Sequence, residues 1–311
     1  MLGSMDTDTH APPARDEVRR FIVENRPVRG HWVHLTEAWR DLRAHRDYPE
    51  PVRELLGQAV AASVLLAATL KFRGQLTLQL QGNGAVSLLV AQCTHDYKLR
   101  AVARFDESAV SRLPAAPFRR LVGTEGRLTV TVEANERATR YQGIVPLAGD
   151  SLAGSLEAYF ASSEQLPTRV LLAADGDRGA GVLVQQLPQG ERIEDSQMRE
   201  VWDQAQRGIE RLRAEDLLEC PAEELLGRGF AEQDMRLFRG AKVAFECRCS
   251  DGRVTSLLRA LGAEEVGSIL REQGSVTVTC EFCHRPYEFD ERAVTALFSD
   301  QTPSGGSLLI Q

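Results

Sequence analysis

Four of the six cysteines, Cys247, Cys249, Cys280 and Cys283, fall in two close pairs within the last 65 residues, while Cys93 and Cys220 stand alone. The spacing is C-x-C, then 30 residues, then C-x-x-C. Thiolate sulfur is a soft donor, and four of them close a tetrahedral shell around Zn²⁺. Each pair can supply two donors from one turn of chain. The pattern therefore predicts one Zn²⁺ per chain, held by Cys247, Cys249, Cys280 and Cys283. His284 could substitute as a ligand, but four sulfurs already complete the shell, so it reads as a surface residue.

The same sulfurs can do redox chemistry. A metal holds them as thiolates, the form that peroxide attacks to give a sulfenate. Each cysteine has a partner one or two residues away that can resolve the sulfenate as a disulfide. A C-x-C disulfide closes a small strained ring, and strained disulfides are labile. Losing two donors releases the ion, and a small metal-stapled domain without its ion unfolds. The site reads as an oxidation switch.

The elements around the cysteines must bring the pairs together. Residues 241–293 form a small unit in which Leu257, Leu258, Leu261, Val266, Ile269 and Leu270 suit a two-helix spacer, followed by a strand-like run at Ser275–Thr279. About 50 residues sustain a core poorly without a staple. Residues 191–240 hold 13 acidic and 8 basic side chains, with Met198, Val201, Trp202, Ala205, Ile209 and Leu212 at helical spacing. A helix with so thin an apolar stripe is stable only when docked on something else. Trp202 is expected to dock on the preceding domain. This stretch reads as a charged, metastable helical linker.

Residues 15–190 read as an α+β domain, with a largely antiparallel sheet and packed helices. Apolar residues at three- and four-residue spacing predict a helix over Tyr48–Leu70. The period then changes to two at Leu76, Leu78 and Leu80, and strands follow at 85–93, 98–105, 127–134 and 140–147. Asn135-Glu136 is a turn signal, 151–162 a short helix, and 169–174 and 181–187 two more strands. Cys93 reads as a buried small apolar residue, and Cys220 as a linker thiol with no assigned task. His31 and His34 lack a third ligand, so packing or surface roles are expected. Asp175-Gly176-Asp177 reads as a turn rather than a cation loop.

Several function classes are disfavoured. The net charge is -7, with 37 basic and 44 acidic side chains. Nucleic-acid binding rests on Lys and Arg, and residues 241–293 carry 9 acidic against 7 basic side chains. The longest near-apolar stretch, Ala59–Leu70, is short for a membrane helix. Residues 1–14 show no signal-peptide pattern and are expected to be a tag-derived or disordered N-terminal tail, which predicts a cytoplasmic location. No phosphate loop, dinucleotide fingerprint or nucleophile elbow is present. A thiol–disulfide oxidoreductase using Cys280 and Cys283 remains an alternative, as does a constitutive zinc-stapled binding module. The first would want its C-x-x-C at a helix start.

The sequence resembles a known family. Phe245-Glu246-Cys247-Arg248-Cys249-Ser250, and Cys280-Glu281-Phe282-Cys283 with Tyr287 and Phe289 behind it, look like the zinc centre of the redox-regulated holdase chaperones, the bacterial heat-shock family of about thirty-three kilodaltons. Leu70-Lys71-Phe72-Arg73-Gly74, Leu78-Gln79-Leu80-Gln81-Gly82, Leu156-Glu157-Ala158-Tyr159-Phe160, Ser163–Thr168 and Gly181–Pro188 agree with it. The resemblance covers roughly residues 15–293 and leaves 294–311 as a flexible tail. It implies a chaperone that needs no ATP, catalyses no reaction and is inactive while reduced and zinc-bound. Oxidation would form Cys280–Cys283 and Cys247–Cys249 disulfides, expel zinc and release the linker. The active form would be a homodimer that holds unfolding clients and passes them to ATP-dependent refolding chaperones.

Overall fold

The computed structural model describes residues 16–113, 117–134, 140–188 and 195–299. The expected N-terminal tail 1–14 and the Asn135-Glu136 turn lie outside the described residues, as do residues 300–311 of the expected flexible tail. The chain divides into two compact units, residues 1–246 and 247–311.

The first unit opens with a hairpin, β1 (Glu17–Val23) and β2 (Val28–Leu35), and a short helix α1 (Glu37–Arg43). The long helix α2 (Glu50–Thr69) follows, entered through Pro49 and Pro51. Next come β3 (Gly74–Gln81), β4 (Val86–Thr94), β5 (Lys98–Phe105), the single turns α3 (Glu107–Ser111) and α4 (Phe118–Val122), β6 (Arg127–Ala134) and β7 (Arg140–Pro146). Helix α5 (Leu152–Tyr159) ends in a wide π-type turn at Phe160–Glu164, and β8 (Thr168–Ala174) pairs with β9 (Gly179–Gln186).

Two sheets result. One has the order β10-β1-β2-β9-β8 and the other β12-β5-β4-β3-β6-β7, where β10 (Met235–Leu237) and β12 (Ala244–Phe245) come from the chain after the linker. A further two-residue strand, β11 (Ala241–Lys242), also pairs with β1. Pairing is antiparallel throughout the described strands of this unit except between β12 and β5. The α+β reading with mainly antiparallel sheet is borne out.

Helix α2 contacts strands of both sheets. Fourteen of its 20 residues are buried, including Leu56, Val60 and Val64, so it is apolar all round. It fills the predicted span Tyr48–Leu70 to within two residues and meets the length of a membrane span. With 78% of the relevant window buried inside the fold, it is the core helix of this unit. Leu76, Leu78 and Leu80 of β3 point into this core, as the period of two predicts. Cys93 is fully buried there, also as expected.

The charged linker docks on the first sheet. Helices α6 (Asp195–Glu210), α7 (Ala214–Glu219) and α8 (Ala222–Gly229) bury Val201, Ala205, Ile209, Leu212, Leu217, Leu225 and Leu226. They meet Phe21, Val23, Val28 and Trp32 of the hairpin and Val182 and Val184 of β9. Trp202 is half-buried against the same cluster, so it docks as expected. Phe230 packs on Phe21 at 6.1 Å between ring centroids. Gly208 makes room for that ring, since a Cβ there would lie 2.5 Å from it.

The second unit holds α9 (Asp251–Leu261), α10 (Ala263–Gln273), the hairpin β13 (Val276–Thr279) and β14 (Pro286–Phe289), and α11 (Glu291–Ser299). Its core has seven buried residues: Val254, Leu258, Val266, Val276, Tyr287, Val294 and Leu297. Helix α11 takes the folded unit past residue 293, where the tail was expected to begin. Val294 and Leu297 supply the physical reason, because they close this small core.

Candidate metal centre

The C-x-C pair lies immediately before α9. Ser250 follows Cys249 and caps the helix, its Oγ accepting from the Arg253 N–H at 3.3 Å. The Arg253 guanidinium reaches back to donate to the Arg248 carbonyl at 2.7 Å. These contacts fix the turn that carries Cys247 and Cys249.

The C-x-x-C pair occupies the loop between β13 and β14. The Cys280 N–H donates to the Arg285 carbonyl at 3.0 Å, and the His284 N–H donates to the Cys280 carbonyl at 2.8 Å. His284 takes a left-handed backbone (φ 51°), which closes this loop. The pair is thus in a strand–turn–strand setting, not at the start of a helix. That is the wrong setting for the oxidoreductase alternative.

The four sulfurs converge. All lie within 4.8 Å of one another, and four donors of this kind could hold a metal ion. Sγ–Sγ distances are 3.4 Å for Cys249–Cys283, 3.5 Å for Cys247–Cys249 and 3.7 Å for Cys247–Cys280. All four cysteines are free thiols, with Cys283 buried and the others half-buried. Among the described residues this is the one cluster of three or more potential ligands.

The thiols differ electrostatically. Burial pushes Cys247 and Cys283 up. Burial acts on Cys249 in the same sense, but the Tyr287 hydroxyl and the three neighbouring sulfurs outweigh it and bring this thiol down to about 7. Tyr287 itself is pushed up to about 12, chiefly by Cys249. Its hydroxyl is buried without an oxygen or nitrogen partner, which leaves it facing the sulfur. The two lone cysteines are different. Burial raises Cys93 and Cys220, which keeps both protonated and unreactive.

The other residues singled out in the sequence do not join this centre. Asp175 forms a turn, its Oδ1 accepting from the Asp177 and Arg178 N–H groups at 2.7 Å each. His31 and His34 are both buried in β2 and approach no third metal ligand among the described residues.

Comparison with known proteins decides the family. The sequence pattern described as "Hsp33 protein" matches residues 16–290. The chain belongs to the Hsp33 family. It is 42% identical to the 33 kDa chaperonin of Chromobacterium violaceum, covering 91% of this chain and 94% of that protein. It is likewise 42% identical to the 33 kDa chaperonin of Nitrosococcus oceani, covering 92% and 96%. The crystal structure of the 33 kDa chaperonin of Thermotoga maritima shares the fold, with a TM-score of 0.75 at 23% identity over 90% of this chain and 97% of that one.

Proposed function

We propose that this protein is a redox-regulated, ATP-independent holdase that binds unfolding proteins and prevents their aggregation under oxidative stress. The observation that carries the reading is the gathering of four free thiols within 4.8 Å in a unit whose core has seven buried residues. The relatives' name, 33 kDa chaperonin, supports the chaperone part.

The donor set suits zinc. Bonds of about 2.3 Å to sulfur in a tetrahedron put the sulfurs about 3.8 Å apart, close to the 3.4–3.7 Å separations here. Zinc bound to Cys247, Cys249, Cys280 and Cys283 would hold all four as thiolates and staple a unit too small to be stable alone. The half-buried sulfurs leave room for a small oxidant. A Cys280 or Cys283 thiolate attacks peroxide, the O–O bond breaks, hydroxide leaves and a sulfenic acid forms. The neighbouring thiolate displaces hydroxide from it, giving the Cys280–Cys283 disulfide. Cys247–Cys249 closes by the same two steps. Each disulfide removes two of four donors, and the remaining donors no longer hold an ion.

Unfolding of this unit then destabilises the linker, and its release uncovers Phe21, Trp32, Val182 and Val184 on the first sheet. That face and the unfolded linker hold clients. The active form is a homodimer in the cytoplasm, and it hands clients to ATP-dependent refolding chaperones. The protein acts by binding, not by turnover.

The test follows zinc release and light scattering of an unfolding client on one sample, before and after peroxide at mild heat. Loss of about one zinc per chain, accompanied by suppressed aggregation without ATP, is the expected result. Zinc that stays bound, or leaves with no gain in holding activity, makes the centre purely structural and overturns the switch.

A further inference from the structure

We propose that His34 is an acid latch: it ties the linker to the first sheet when neutral and releases it when protonated, opening the holdase without oxidation. The inference rests on the proposed function, in which linker release uncovers the client-binding face.

The imidazole is fully buried in β2, on the face of the strand that carries Trp32, with which it stacks at 5.9 Å. Its Nε2 lies 3.0 Å from the carbonyl of Leu218 in α7. A carbonyl only accepts, so Nε2 carries the proton and Nδ1 carries the lone pair. Nδ1 is buried with no hydrogen-bond partner. Acid must therefore add its proton at Nδ1, where no acceptor waits.

The surrounding groups do not help. The Arg178 guanidinium, from the turn between β8 and β9, donates to the same Leu218 carbonyl at 3.0 Å, so a second positive charge already faces this point. Asp175 is engaged by Arg178 and two backbone N–H groups. Asp16 is engaged by the N–H groups of Thr36, Glu37 and Ala38. Glu17, the cross-strand neighbour in β1, lies beside Arg19, which is bound at 2.6 Å to Glu223 of α8. Burial, with Arg178 adding to it, holds His34 below its ordinary value of 6.5, although the Leu218 contact and the two aspartates work the other way.

The sign follows. The docked state disfavours the proton, and the released state exposes an ordinary imidazole. Release therefore takes up a proton below 6.5, and docking is unaffected by His34 above it. For one linked proton, the open fraction rises by up to about tenfold for each pH unit below that point. His31 is on the opposite face of the strand and titrates at about 4 because of its burial, with Arg29 and Arg20 nearby. It is outside the window in which the latch acts.

The experiment uses the reduced, zinc-loaded full chain and its His34→Gln variant. Gln keeps a donor for the Leu218 carbonyl and does not titrate. Limited proteolysis of the linker, bound zinc and client light scattering are followed from about pH 7.5 to about pH 5.5. Linker cleavage in the native chain should rise by up to about tenfold between about pH 7.5 and about pH 5.5, with zinc retained and aggregation suppressed, while H34Q stays flat. An equal rise in H34Q, or a rise only in step with zinc loss, overturns the latch. If H34Q does not fold, the His34 imidazole of the native chain is titrated by NMR. Titration at the ordinary value while the linker stays protected also overturns it. The oxidised native chain at neutral pH serves as the control. If it fails to hold clients there, the proposed function fails, whatever the acid response.

Discussion

The docked linker and the cysteine unit are held in different ways. The linker contributes ten residues between Val201 and Phe230 to a shared apolar cluster whose other eight come from the first sheet. Its burial depends on that sheet face. The cysteine unit has seven buried residues of its own, and the four sulfurs are its strongest organising feature. Apolar docking is graded, since every lost contact weakens it a little. A four-ligand centre is close to all-or-none, because losing two donors loses the ion. On the proposed function, a switch built from both would sense sharply in one region and respond broadly in the other.

Removing the proposed zinc should break this comparison most visibly. Structural zinc contributes about 10–16 kcal/mol in comparable small sites, more than a seven-residue core can replace. Chelation of the full chain should abolish hydrogen-exchange protection across α9, α10 and α11, while β3, β4 and α2 keep theirs. Protection that survives in α9–α11 would mean that the small core suffices. Phe230→Ala comes next. It removes a ring packed between Phe21 and Gly208, at a cost of about 3–5 kcal/mol. The linker should become protease-sensitive, and clients should be held without oxidant. A linker still protected in F230A would show that its docking does not depend on that ring.

Tryptophan emission sharpens the same contrast. Trp202 is only half-buried, whereas Trp32 is fully buried beneath the linker cluster. Release should therefore red-shift emission mainly through Trp32. Trp202→Phe should keep the larger part of the shift, and a variant that loses it would make Trp202 the true reporter.

Much of this was legible in the sequence. Leu76, Leu78 and Leu80 mark β3 because one face of that strand is buried and the other wet. The cysteine spacing names the centre because ligand pairs are local. The N-terminal hairpin lies outside what periodicity predicts. In β1, Val18 faces the α2 core while Phe21 and Val23 face the linker, and β2 is buried on both sides, so neither strand alternates cleanly. Strand β12 is two residues long and pairs with β5, more than 140 residues earlier in the chain, and nothing local signals it. The contact of His34 with Leu218 spans 184 residues and leaves no mark on either segment. Sequence spacing reports what neighbours in the chain do together, and these features depend on segments that meet only in the fold.

The smallest effect concerns Asp216, which organises the linker internally. Its carboxylate accepts from the Arg213 N–H at 3.0 Å and from the Arg228 guanidinium at 2.6 Å. The Arg213 N–H is the main cause holding this carboxyl below its ordinary 3.8, with the charges of Arg213 and Arg228 adding to it. The docked linker therefore prefers the ionised form, and the unfolded linker binds more protons. The contribution is complete above 3.8 and is lost as pH falls through the lowered value. Asp216→Asn should cost about 1 kcal/mol at neutral pH, as for loss of a helix cap. It should leave the response between 6.5 and 5 unchanged, because Asp216 stays ionised there in both states. The linker stabilities of the two proteins should converge only in strong acid. If D216N altered linker release near pH 5.5, the carboxylate would be coupled to the histidine, and the linker could no longer be read as a set of independent contacts.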